Sequence, residues 1–135
     1  MIDMPKYLLD TDICIALIKN KGRIREKVIE VGRGNCFVSD ITIAELYYGA
    51  AKSERPEHYD DVAFIASHFG VLSIDSSLEA YGRIKWNLEK NGVPLDDFDL
   101  LIGASAIGMG LVMVTHNQKH YMRIPNIHLE DWYVE

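Results

Sequence analysis

Short apolar runs alternate with longer stretches of helical spacing along this chain. Lys6-Tyr7-Leu8-Leu9-Asp10 is a nearly continuous apolar run closed by an acid, the pattern of a strand buried on both faces of a parallel sheet. Residues 13–18 with a basic tail predict a short helix, capped by Thr11 or Asp12 and stopped near Gly22. A second helix is expected over 23–31, ended by Gly32 and Gly34. Cys36-Phe37-Val38-Ser39 is the next strand, and Ser39 or Asp40 can cap a helix over 41–53. Pro56 suits the first turn of a helix that continues to Phe69. Val71-Leu72-Ser73-Ile74 makes a third strand, with Asp75 or Ser76 capping a helix that stops at Asn91-Gly92. After the rigid Val93-Pro94-Leu95 connector come a helix over 96–109, the strand 111–115 and a short edge strand at 127–130.

This alternation predicts an α/β sandwich with a mainly parallel, about five-stranded central sheet. Ligand sites in such sheets open beyond the carboxyl ends of the strands. Asp10, Asn117 and the pair Ser39-Asp40 lie just past three different strands, so polar groups converge on one rim. Glu45 sits one turn into the helix after Ser39-Asp40, between the apolar Ile43 and Leu46, where it can face the sheet or solvent. Asp99 heads a stripe of small residues, Gly103, Ala106 and Gly110. Because glycine inside a helix costs about 1 kcal/mol relative to alanine, such a stripe suggests close approach by another element.

The length of 135 residues suits one domain, 1–135, and 48% hydrophobic with 25% charged residues is the composition of a folded chain. Cys14 and Cys36 lie in apolar stretches without metal-site spacing, as reduced core residues do. Met1 to Pro5 lacks the pattern of a leader, and no apolar run approaches the length of a membrane span, so the expected location is the cytoplasm. The net charge of −6 argues against a polyanion partner. Two features soften that conclusion. Lys19, Lys21, Arg23, Arg25 and Lys27 form a local basic run, and cations bound by clustered acids would reverse the field at a phosphate.

Clustered carboxylates are the natural home of Mg²⁺ or Mn²⁺, which prefer oxygen ligands. Such ions acidify water and neutralise charge during phosphodiester cleavage. Without a cation, carboxylates packed together repel, and one of them should retain a proton.

Four segments in order then point to a family: Tyr7-Leu-Leu-Asp-Thr-Asp-Ile-Cys-Ile, Val38-Ser-Asp-Ile-Thr-Ile-Ala-Glu-Leu-Tyr-Tyr-Gly-Ala, Asp97-Phe-Asp-Leu-Leu-Ile-Gly-Ala and Leu111-Val-Met-Val-Thr-His-Asn. The chain resembles PIN domains, in particular the toxin component of VapBC-type toxin–antitoxin pairs. The resemblance implies a PIN-like α/β/α sandwich and Mg²⁺- or Mn²⁺-dependent endonucleolytic cleavage of RNA. It also implies a cognate VapB-type antitoxin whose tail covers the active groove, and a homodimer that assembles with it. By the same resemblance Asp10, Glu45 and Asp99 match the principal metal-binding acids. Asn117 falls where many members carry a fourth acid, a departure that bears on a second metal site. Thr11, Asp12 and Thr115 match positions that orient ligands or water.

Two other readings compete. Asp10-Thr11-Asp12 after a strand also resembles haloacid-dehalogenase-like phosphatases, but Ile13 stands where Thr or Val is expected. An inactive PIN module that binds RNA or protein would fit Asn117 and the acidic total. His116 and His120 flank Asn117 and could contact phosphate or a softer metal, but two histidines after a strand read as ordinary surface residues. One of Tyr47 and Tyr48 is expected in the core, the other being available to a partner, and Trp86 and Trp132 are expected to pack, Trp132 anchoring the tail.

Overall fold

The computed structural model describes residues 4–135; the leader-region reading of residues 1–3 lies outside the described residues. The strands are β1 (Tyr7–Leu9), β2 (Cys36–Ser39), β3 (Gly70–Leu72), β4 (Val112–Val114) and β5 (Leu129–Glu130). They form one parallel sheet in the order β3-β2-β1-β4-β5. The helices are α1 (Thr11–Ile18), α2 (Ile24–Val31), α3 (Asp40–Ser53), α4 (Glu57–His68), α5 (Leu78–Lys90), α6 (Asp97–Met109) and α7 (Gln118–Tyr121). Helices cover both faces, as the continuous apolar strands require.

Residues of β1 alternate between two cores. Tyr7 and Leu9 join α1 to α4 on one face, whereas Leu8 packs with Met113 and residues of α5 and α6 on the other. The register pairs Leu8 with Phe37 and Met113, and Leu9 with Val114. Beyond that pair the Asp10 amide still donates to the Val114 carbonyl at 2.9 Å. The chain leaves β1 towards β2 on one side and later returns to β4 on the other. The crevice between the carboxyl ends of β1 and β4 is therefore the switch point of the sheet.

Several local expectations change. Helix α1 is capped by Asp10 rather than by Thr11 or Asp12, because its carboxylate accepts from the Thr11 amide. β3 is shorter than 71–74: Ser73 caps a tight 3₁₀ turn over Ile74–Ser77, and α5 starts only after it. Of the small-residue stripe, Gly103 is the close approach, since a side chain there would collide with Ile124 and crowd Tyr121. Gly110 instead ends α6 in a left-handed conformation, φ 66°, with open space beside it. Tyr47 and Tyr48 are both exposed, so neither is core. Trp132 is buried edge-on against Tyr7, whereas Trp86 is 62% exposed and packs little. Both cysteines are buried free thiols, and burial pushes the Cys36 thiol up to about 11. Among the described residues, no helix is long and apolar enough to cross a membrane.

Candidate active site

Asp10 caps α1 at the switch point and is only 6% exposed. Its Oδ1 accepts from the Thr11 amide at 2.9 Å and from the Tyr121 hydroxyl at 3.1 Å; its Oδ2 accepts from the Thr115 hydroxyl at 2.9 Å. Burial first, and then the negative charge of Asp12, push its carboxyl up from 3.8 to about 7, against the three hydrogen bonds that favour the anion. Asp10 therefore keeps its proton well above the usual carboxylate range.

Asp99 reaches Asp10 through the Tyr121 hydroxyl, and Glu45 reaches it through Thr11, whose amide bonds Asp10 and whose hydroxyl bonds Glu45. Tyr121 is fully buried, and its hydroxyl lies 3.4 Å from Asp99 Oδ1 as well as 3.1 Å from Asp10. One phenolic proton thus stands between two carboxylates. Burial and the adjacent acids push this phenol up, keeping it protonated. On the other side, the Thr11 hydroxyl donates to Glu45 Oε1 at 2.6 Å and shares a hydrogen bond with the Thr42 hydroxyl at 3.0 Å. Glu45 thereby faces the crevice. At the head of α6, Asp96 caps the helix and Asp97 pairs with Lys85 at 3.0 Å, which leaves Asp99 to face inward. Lys85 and Tyr81 hold Asp97 below the usual carboxylate range.

Asp12 adjoins this group. Its Oδ2 accepts from the His116 amide at 3.1 Å, while its buried Oδ1 has no partner. Burial raises its pKa as well. The amide of Asn117 donates to the Thr115 hydroxyl at 2.9 Å, which links it to Asp10, but its side chain turns to His120 Nδ1 at 2.8 Å. That same nitrogen is 3.6 Å from Asp99 Oδ2. It can accept from Asn117 or, protonated, pair with Asp99, but one nitrogen cannot do both. Asp40 stays outside the group: its Oδ2 accepts from the Ile74 amide and ties the segment after β3 to α3.

The structure thus brings Asp10, Asp12, Glu45, Asp99, Thr11 and Thr115 to one rim, with Asn117 attached through Thr115. As they stand, no three acidic, histidine or cysteine side chains among the described residues converge closely enough to share an ion. The hydroxyls of Thr11 and Tyr121 stand between the carboxylates. The donor chemistry nevertheless fits Mg²⁺ or Mn²⁺: the donors are carboxylate oxygens, one held protonated by burial and one left without a partner. The sequence did not single out Tyr121; His120 is exposed as expected, although its ring meets Asn117. An aromatic residue after a strand looks like core, and only its hydroxyl belongs to the site.

Residues 7–125 match the family described as PIN domain. The chain belongs to the PIN-domain family. This PIN domain is 37% identical over 134 residues to the tRNA(fMet)-specific endonuclease VapC of Shigella flexneri, a match covering 96% of this chain and 99% of that protein. It is 39% identical over 132 residues to the protein of the same name from Salmonella typhimurium, with the same coverage. The solved structure of DNA-bound VapBC from Salmonella typhimurium superposes with a TM-score of 0.88 at 39% identity, over 96% of this chain and 99% of that one. VapBC2 from Rickettsia felis, bound to a promoter DNA fragment, superposes at 0.86 and 32% identity, over 93% and 98%. The resemblance to VapC-type PIN domains and the parallel five-stranded sandwich expected from the motifs are both borne out.

Proposed function

We propose that this PIN domain is a Mg²⁺- or Mn²⁺-dependent endoribonuclease, the toxin of a VapBC-type pair, acting in the cytoplasm. The observation that carries the reading is Asp10. A buried carboxyl at the switch point, held protonated to about 7 and joined to Asp99 through the Tyr121 hydroxyl and to Glu45 through the amide and hydroxyl of Thr11, is costly without a cation and useful with one. Asp10, Glu45 and Asp99 would hold the ion. When bound, the ion supplies charge to neutralise the phosphate and acidity to activate water.

The chain's own residues do the positioning. Thr115 and the Thr11 amide fix the two oxygens of Asp10, Thr11 Oγ1 orients Glu45, and Tyr121 keeps Asp10 and Asp99 around one hydroxyl. Asp12, whose Oδ2 accepts from the His116 amide, fixes the start of the segment that carries Asn117 beside Thr115. Asn117 would act by orienting His120 and Thr115.

Two relatives are named for tRNA(fMet), which makes that RNA the first substrate to test. An antitoxin tail is the proposed occupant of an apolar trough that runs from Glu45 past Ile15, Ile18 and Leu46. This cavity, of about 450 Å³, continues beyond Ile18 and Asp61 into a second of about 410 Å³ walled by Val28, Phe64 and Phe69. A homodimer is expected of the toxin in that complex.

The test incubates purified protein with tRNA(fMet) and an RNA panel in Mg²⁺ or Mn²⁺, beside Asp99→Asn and Glu45→Gln. Internal cleavage that falls at least about 100-fold in both variants supports the reading. Intact RNA under both ions, with or without turnover of a phosphomonoester, sinks it.

A further inference from the structure

A cavity of about 300 Å³ opens beside Asp12, with an apolar floor of Ile15 and Ala16 and with Lys19, Lys21, His116, Tyr133 and Glu135 around it. It adjoins the carboxylate group at two points. His116 lies between Thr115 and Asn117, and its amide holds the Asp12 carboxylate.

The aromatic wall of this cavity is built rather than incidental. Asp131 holds the His116 ring and the Tyr133 backbone: its Oδ2 lies 2.8 Å from His116 Nδ1, and its Oδ1 accepts from the Tyr133 amide at 3.0 Å. The rings stand 4.9 Å apart between centroids, tilted by 38°. Tyr133 is pressed onto Gly22, where any side chain would strike the ring, and the Val134 amide donates to the Gly22 carbonyl at 2.9 Å. The tail of the chain is thereby tied to the turn that follows α1. That turn also carries Lys21, and Lys19 caps α1 beside it; both lysines are exposed and stand outside the ion pairs of the described residues.

A fixed aromatic face next to two cations is the arrangement that seats an unpaired nucleotide, the base stacking and the phosphate meeting the ammonium groups. The carboxylates of Asp12 and Glu135 line the same cavity, so the phosphate belongs at its lysine edge. We infer that this cavity is a subsite for one unpaired nucleotide of the RNA, with its base on the Tyr133–His116 wall and its phosphate at Lys19 and Lys21. The inference rests on the nuclease reading for the identity of the polymer. It assigns a specificity role to the tail and to two members of the basic run, none of which belongs to the carboxylate group.

The test measures binding of a short fluorescein-labelled single-stranded RNA by anisotropy. It uses the full chain carrying Asp10→Asn, in EDTA, across a range of salt, and compares the same strand annealed to its complement. Adding Lys19→Gln and Lys21→Gln should weaken binding several-fold and reduce the salt slope by about 0.7 per lysine. Tyr133→Leu should lose about tenfold on the single strand and nothing on the duplex, while Tyr133→Phe binds like the parent. Thermal melts identify a Leu variant that has unfolded, and the surface lysine pair then decides alone. Unchanged affinity and salt slope in the lysine pair, or equal losses on single strand and duplex in a folded Tyr133→Leu, overturn the subsite. In the cleaving enzyme the lysine pair should raise KM more than it changes kcat. If the wild type cuts RNA and KM does not move, the subsite falls and the nuclease reading stands. If the wild type cuts no RNA, the nuclease reading falls, and the binding comparison still decides the subsite.

Discussion

Replacing Asp10 with Asn should stabilise the metal-free protein, even though it removes the central acid of the site. In the unfolded chain this carboxyl loses its proton near 3.8; in the fold it holds the proton to about 7. Between those values the folded state carries the extra proton, so stability falls as pH rises and the full cost is present above about pH 7. Roughly 3 pK units at about 1.4 kcal/mol each make that cost about 4 kcal/mol. Asn keeps one oxygen for the Thr11 amide and the Tyr121 hydroxyl, but turns an NH₂ towards the Thr115 hydroxyl, which costs about 1 kcal/mol of hydrogen bonding. The net expectation at pH 8 is a gain of about 2 to 3 kcal/mol for Asp10→Asn. Well below the unfolded value of 3.8, Asp10 is neutral in both states like Asn, and the gain should disappear. Urea unfolding at about pH 3, 6 and 8, with EDTA in the buffer, measures it directly. A variant less stable than wild type at pH 8, or a gain independent of pH, would refute the account of Asp10 as a carboxyl destabilised by burial.

Further expectations follow from the same geometry. Millimolar Mn²⁺ or Mg²⁺ at pH 8 should raise the melting temperature of the wild type by several degrees, and should leave Asp10→Asn and Asp99→Asn nearly unchanged; calorimetric scans with and without EDTA check this, and a flat response in the wild type counts against a formed site. Tyr121→Phe removes the hydroxyl between Asp10 and Asp99 and should cost about 1 to 2 kcal/mol in EDTA, more at pH 8 than at pH 5, read by urea unfolding. Trp132→Ala should cost about 3 to 5 kcal/mol, whereas Trp86→Ala should stay within about 0.5 kcal/mol of wild type. Similar losses in the two tryptophan variants would contradict the packing described for them.

The sequence alone determined the layered α/β fold, because a strand buried on both faces must be apolar throughout and a helix beside it apolar on one side. Those periodicities are local and survive in the one-dimensional chain. Asp10 was legible for the same reason, as the acid that closes the first apolar run. Glu45 and Asp99 were legible as candidates, Glu45 from its place one turn past a strand and Asp99 from the small-residue stripe it heads, but not their direction, which depends on which neighbours claim the competing acids. Asp96 is spent on the cap of α6 and Asp97 on Lys85, and Thr11 turns Glu45 towards the crevice. Only the tertiary structure decided that Tyr121 bridges Asp10 and Asp99, across 111 and 22 residues of chain. It also decided that Trp86 is surface, and that Tyr133 rests on Gly22. A hydrophobic pattern records which side of an element avoids water. It does not record which buried polar atoms meet, or that Asp10 ends up buried beside Asp12, and it is that burial, against its hydrogen bonds, that holds the proton on Asp10.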